Sequence, residues 1–223
     1  MNMERTLRVT GKGKISVKPD LIQLQMALEG IWNSYEETLQ LSAEQTEQLR
    51  SSFAAIGFEP SDIKTLNFNI NTQYESYQGK DKSWKQRFVG YKYVHSMKLE
   101  FDADNKRLGQ VLYTLAHCSI RPEFHIVYTV KDREAAKNQL IGKAVKDAAS
   151  KAVILAEAAG VTLGELQTID YSWGELDLTV RPMAKRLEAV RGVESNAADS
   201  YALNIEPDNI EVTDTVTVVW SMV

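Results

Sequence analysis

The chain has 223 residues, 43% of them hydrophobic and 25% charged, with a formal net charge of −4. That is the composition of a folded globular protein long enough to bury a sizeable core, and its mild acidity speaks against a general nucleic-acid binder, which needs a basic face. The one cysteine, Cys118, excludes an intramolecular disulfide and a cysteine metal cluster, and no apolar run reaches the roughly 18 residues of a membrane-spanning helix.

The opening MNMERTLRV has no apolar stretch after a basic start, the mark of a secretory leader. The expected location is therefore cytoplasmic, or periplasmic or extracellular if a leader has been removed. Alternation from Leu7 and Val9 to Ile15 and Val17 predicts a strand. Its two glycines, Gly11 and Gly13, do not have the spacing of a phosphate loop, and a strand rather than a helix follows them. They mark a bulge or a close backbone approach, with Lys12, Lys14 and Lys18 on the solvent side. Pro19-Asp20 breaks this strand, and Ile22, Leu24, Met26 and Leu28 begin another.

The period then lengthens: Tyr35, Leu39, Ser42, Thr46, Leu49, Phe53 and Ile56 predict a helix, capped by Asn33 or Ser34 and ended by Gly57. Strand periodicity returns from Leu66 to Tyr74. A polar tip, QGKDKSWK over 78–85, leads to a return strand through Val89, Tyr91, Tyr93, His95, Met97, Leu99 and Phe101. A short helix is expected around Leu108–Leu115, started at Asp104 or Asn105, and a strand through Ile120, Phe124, Ile126, Tyr128 and Val130. Asp132 caps a long helix that Gly160 stops, with a stripe of Ala144, Val145, Ala148, Ala152, Leu155, Ala156 and Ala159. A strand near Leu166–Trp173, an excursion from Gly174 to Asn209 with a possible helix in RPMAKRLEAV, and a β-branched closing strand complete the chain.

These elements predict an α+β fold with a largely antiparallel or mixed sheet and one long alanine-rich helix packed on it. Two β-α-β-β-like units are expected in one domain spanning 1–223, a pseudo-repeat over 21–102 and 119–223.

Catalytic and metal signatures are weak. His95 reads as a satisfied core histidine, His117 and Cys118 are chain neighbours whose side chains point apart, and His125 faces away from Phe124 and Ile126. The acidic clusters have no specific spacing. No cofactor or metal site is expected. The richest surface candidate is the long hairpin, where Tyr77, Lys80, Lys82, Trp84, Lys85 and Arg87 mix aromatic and basic groups. Glu75 and Asp81 dilute its charge, so a protein contact is expected there rather than a nucleic acid.

Several segments together resemble the SIMPL-domain family, which includes bacterial periplasmic immunogenic proteins. VTGKGKISVKPD, with Gly11, Gly13, Pro19 and Asp20, is similar to that family's opening; FVGYKYVHSMKLEF, with Gly90 and Tyr91, is similar to its middle strand. The helix segment carrying Lys143, Ala144, Asp147, Ala148, Lys151 and Ala152, followed by Gly160, Leu163 and Gly164, resembles its most specific part. NIEPDNIEVTDTVTVVW resembles its ending, with Asp208 where glycine is frequent. The resemblance implies an α+β fold, self-assembly and no catalytic residues. It also implies links to the envelope and oxidative stress in bacteria and to a kinase partner in a eukaryotic relative. The expected function is a non-enzymatic self-assembling scaffold or interaction protein, a homo-oligomer with an unidentified protein partner. The alternative is a small-ligand-binding protein or cryptic enzyme with a pocket between sheet and helices, gathering groups such as Tyr93 and His95.

Overall fold

A computed structural model describes residues 5–171, 176–181 and 206–223. In chain order the elements are β1 (Thr6–Val17), β2 (Leu21–Trp32), α1 (Tyr35–Ala54), a 3-10 turn (Pro60–Asp62), β3 (Lys64–Gln78), β4 (Trp84–Asp102), α2 (Asn105–His117), β5 (Glu123–Thr129), α3 (Arg133–Ala159), β6 (Leu163–Asp170), β7 (Thr179–Val180) and β8 (Ile210–Met222). The fold is α+β. The helix expected in RPMAKRLEAV, and most of the expected excursion, lie outside the described residues. The described residues form two compact units, one from residues 5–20, 129–171, 176–180 and 207–223, the other from residues 21–128 with 181 and 206.

In the first unit, α3 lies on an antiparallel sheet ordered β1–β8–β6. Asp132 caps α3 by accepting from the Ala135 N–H at 2.7 Å, and Gly160 ends it in the left-handed region at φ 67°. Its buried line is Ala136, Leu140, Ala144, Ala148, Ala152 and Ala156, every fourth residue. Leu155, expected in the stripe, is exposed instead. The four-residue ridge wins because its small side chains, from Ala144 to Ala156, let the helix backbone sit against the strand.

The glycines of β1 meet that ridge. A Cβ on Gly11 would stand 2.1 Å from the Ala144 carbonyl oxygen, and one on Gly13 2.3 Å from that of Leu140. The β1–β8 register runs unbroken from Thr6 to Val17, so close approach is the reason for these glycines and there is no bulge. Lys12 and Lys14 are exposed on the opposite side, as the alternation predicts.

α3 also closes the outer edge of β1. The Asp147 carboxylate accepts the Lys12 N–H at 2.7 Å, and the Lys143 ammonium donates to the Lys14 carbonyl at 3.3 Å. Lys151 holds the same carboxylate at 2.6 Å, and these contacts keep the Asp147 carboxyl below the usual range, Lys151 contributing most. Just beyond β1, Asp20 ties down the following segment: its carboxylate accepts from the Lys131 N–H at 2.8 Å and its N–H donates to the Thr129 carbonyl at 3.1 Å. Gly164 lets β6 pass close to β8, since a Cβ there would lie 2.4 Å from the Ser221 hydroxyl.

In the second unit the strands lie in the order β3–β4–β2–β5, with β2–β4 and β3–β4 antiparallel. Here β5, expected to lead the second β-α-β-β unit, lies beside β2; it is β1, from the start of the chain, that joins β8 and β6 under α3. Alternation along β5 is also lost at its end, where Val127, Tyr128 and Thr129 are all buried while Phe124 is exposed. Ser34 caps α1 by accepting from the Glu37 N–H at 3.1 Å. The buried line of α1 is Thr38, Ser42, Thr46, Leu49 and Phe53, and the expected Tyr35 and Leu39 are exposed. Ser42 and Thr46 tolerate burial because each hydroxyl donates to a carbonyl of its own helix, at 2.8 Å. Under α1, the core gathers Leu24, Met26, Leu49, Phe53, Tyr93, Met97 and Leu99 from helix and sheet.

Candidate functional site

The β3–β4 hairpin is the candidate site, and its shape follows from local chemistry. The tip is ordered by Asp81, which accepts from the Ser83 hydroxyl at 2.7 Å and pairs with Lys85 at 3.2 Å. Those contacts hold the Asp81 carboxyl below its ordinary range, the Ser83 hydroxyl contributing most. Lys82 takes a positive φ of 61°, and the hairpin closes through Gly79 N–H to the Ser83 carbonyl at 2.8 Å.

Lower in the ribbon the register slips between Gln73 and Tyr74, leaving Val89 as an extra residue on β4. Gly90 beside it has φ 155°, and a Cβ there would lie 2.4 Å from the Trp32 carbonyl oxygen. The bulge changes which side chains share a face. Strict alternation separates Phe88 from Tyr91, yet their ring centroids are 5.4 Å apart. An edge-to-face series results: Tyr35 to Tyr91 at 5.6 Å, Tyr91 to Phe88, and Phe88 to Tyr74 at 5.7 Å. Gly90 was the sequence signal for this bulge, because an isolated glycine inside a strand pattern marks one.

The six hairpin residues named from the sequence therefore do not form one patch. Trp84 pairs with Gln78 in register and shares the face of Tyr74 and Phe88; it is 74% exposed. Tyr77 pairs with Lys85, and Arg87 pairs with Glu75 and bridges to it, on the opposite face. Lys80 and Lys82 lie in the turn. Among the described residues one face of the ribbon is thus aromatic and exposed, and the other is a mixed, ion-paired surface.

Nearer the core, His95 is a satisfied core histidine, as read from its strand position. Thr46 uses its hydroxyl proton on the Ser42 carbonyl, so at 3.0 Å it accepts from His95 Nδ1–H, and His95 Nε2 accepts from the Thr65 hydroxyl at 2.9 Å. Burial, and then the charge of Arg50, push the His95 imidazole below its ordinary pKa of 6.5. Tyr93 donates to Gln45 Oε1, and burial, with a smaller push from Glu29, raises its hydroxyl to about 12. Two clefts of this unit are lined by residues other than Tyr93 and His95: a 490 Å³ hollow by Gln45, Gln48, Glu29 and Arg121 among others, and a 450 Å³ one beside Arg107 and Tyr113. Cys118 is half-buried with its sulfur 3.3 Å from the Ser52 hydroxyl, and His117 stacks on Tyr113. Among the described residues no group of three or more His, Cys, Asp or Glu is gathered as a metal would need, and no helix is long and apolar enough to cross a membrane.

The family described as SIMPL, Protein of unknown function (DUF541), matches residues 7–220. The chain belongs to the SIMPL family. A 26 kDa periplasmic immunogenic protein of Brucella melitensis biotype 1 is 23% identical to this SIMPL chain over 163 residues, 73% of the chain and 65% of that protein. The protein of the same name from Brucella abortus matches with the same identity and coverage. The matched part spans less than two thirds of either relative's length. Those relatives are called periplasmic, which corresponds to the second of the two locations expected from the sequence; nothing found supports the first.

On the structure, several of the positions that resemble SIMPL segments lie at backbone contacts, helix ends and strand irregularities. Gly11 and Gly13 meet Ala144 and its neighbours, Asp20 pins residues 129–131, Lys151 buttresses Asp147, Gly160 ends α3, and Gly90 makes the bulge that turns Tyr91 toward Phe88.

Proposed function

We propose that this SIMPL protein acts by association, as a self-assembling scaffold or interaction protein, and not by catalysis. The observation that carries the reading is the aromatic face of the β3–β4 ribbon. Tyr74, Phe88 and Trp84 project from a strand pair past the start of α1, with Trp84 74% exposed. A tryptophan left this bare, on a ribbon whose turn is already ordered, suits contact with another protein surface. Satisfied partners at Tyr93 and His95 support the same reading, since the ligand-pocket alternative rested on those groups.

The test is solution mass by sedimentation at micromolar concentration, for wild type and for Trp84→Ser/Phe88→Ser. Wild type is expected above 25.1 kDa, and the variant is expected to be lighter, or to lose a partner captured by wild type, at unchanged stability. A monomer that captures nothing would overturn the proposal. The names of the Brucella relatives favour a periplasmic setting over the cytoplasmic one, and fractionation of native cells decides between them. A stress-related role belongs to this proposal as its physiological setting, tested by peroxide survival of cells lacking the protein.

A further inference from the structure

The two sheets treat their outer edges differently. The outer edge of β1 is closed by Asp147 and Lys143 from α3. β3 is the outermost strand of its sheet, and among the described residues nothing pairs with its outer side. From Asn67 to Gln78 it contains no proline, lysine or arginine, the residues that commonly guard such an edge. Its own backbone is regular there, because the two irregularities place the extra residues at Leu66 and, on the partner strand, at Val89. α1 packs over β2 and β4, which leaves Phe68 and Tyr74 of β3 exposed at 42% and 51%.

Resting on the self-association proposed above, we infer that β3 pairs with β3 of a second copy, antiparallel about a two-fold axis at Asn71. The strand is self-complementary in that register. Phe68 falls opposite Tyr74 and Ile70 opposite Thr72 on the α1 side. Asn69 falls opposite Gln73, and Asn71 opposite itself, on the other side. Glu75, the one charge between Asn67 and Gln78, falls opposite Asn67, so no like charges meet. The pairing satisfies the open backbone groups of both strands and joins the aromatic stripes of the two copies into one surface, an isologous contact that closes after two chains. Wider assembly would then use other surfaces.

The register makes a geometric prediction. Residues directly opposite in an antiparallel pair have Cα atoms about 4.5 or 5.5 Å apart, within the about 4.4–6.8 Å that a disulfide spans. Asn71→Cys, made with Cys118→Ser, is therefore expected to link two chains under mild oxidation. Gln78→Cys in the same background serves as the control, because its own copy lies 14 positions away along the strand, roughly 45 Å. The linked fraction at Asn71→Cys is expected to exceed the control by at least about tenfold, as pairing raises the effective thiol concentration from micromolar toward millimolar. Thr72→Lys, which puts a lysine on the edge, is expected to lower the solution mass, and in the Asn71→Cys protein to abolish the link. An oligomer by mass with no preferential link at Asn71→Cys overturns this interface while leaving self-association standing. A wild-type monomer that also fails to link overturns both.

Discussion

Replacing Gly11 by alanine tests the central packing claim of the α3 unit. The added Cβ would sit 2.1 Å from the Ala144 carbonyl oxygen, 2.4 Å from the Ala148 nitrogen and 2.7 Å from the Ala148 Cβ. Two of these atoms are helix backbone, so no rotamer change relieves the clash; the 27-residue helix must lift or β1 must bend. Overpacking of this kind costs about 1–3 kcal/mol and more when backbone has to move, while alanine in a strand regains roughly 0.5–1 kcal/mol over glycine. A net loss of about 2 kcal/mol is expected, equivalent to a fall in Tm of roughly 4–8 °C for a chain of this size. Gly142 is the internal control. It lies on the exposed side of the same helix with nothing within 4 Å of a Cβ, so Gly142→Ala is expected to stabilise by about 0.5–1 kcal/mol. Urea unfolding followed by far-UV circular dichroism reads both variants. A loss below about 1 kcal/mol at Gly11→Ala would refute a backbone-to-backbone contact between α3 and β1.

Two further outcomes follow from charge. His95 has a pKa below 6.5 in the fold, so the unfolded chain binds its proton first as pH falls. Stability from this group is full above about 6.5 and declines as pH drops from there toward the folded pKa, and His95→Gln is expected to flatten that part of a stability–pH profile; an unchanged slope in the variant would assign the effect elsewhere. Asp147→Ala removes both the acceptor for the Lys12 N–H and the partner of Lys151. It is expected to lower Tm and, by opening the edge of β1, to raise aggregation measured by light scattering. Because the Asp147 carboxyl is held below its ordinary value of 3.8, its contribution is present above that pH and is lost on acidification through the lower folded value. An Asp147→Ala protein as soluble and as stable as wild type would show that α3 does not guard that edge.

Much of the architecture was legible because it is written in local pattern. Ser34, Asp104 and Asp132 as helix starts and Gly160 as a helix stop follow from the orphan N–H and C=O groups of any helix end, which these residues satisfy wherever the helix lies. The faces misread were those where contact depends on what lies opposite. Thr38 and Ala136 are buried in place of Tyr35 and Leu155, because the packing line is chosen by how closely two backbones approach and not by hydrophobicity alone. At the site, the sequence located the hairpin and its aromatic content but not its faces, since a single extra residue at Val89 reverses the alternation beyond it.

The sequence by itself determined the three helices, the longer strands and their order, the family, and the glycine and alanine positions that make a tight helix-on-strand contact possible, since periodicity and steric size are properties of the residues; the short β7 and the 3-10 turn were not read from it. Tertiary structure decided that β1, from the start of the chain, pairs with β8 from its end, and that β5 lies beside β2. It also decided that one sheet edge is sealed by Asp147 and Lys143 while β3 is left open. Strand pairing joins residues up to 215 positions apart, from Thr6 to Ser221, and local sequence carries no record of which distant edge will satisfy a strand's hydrogen bonds.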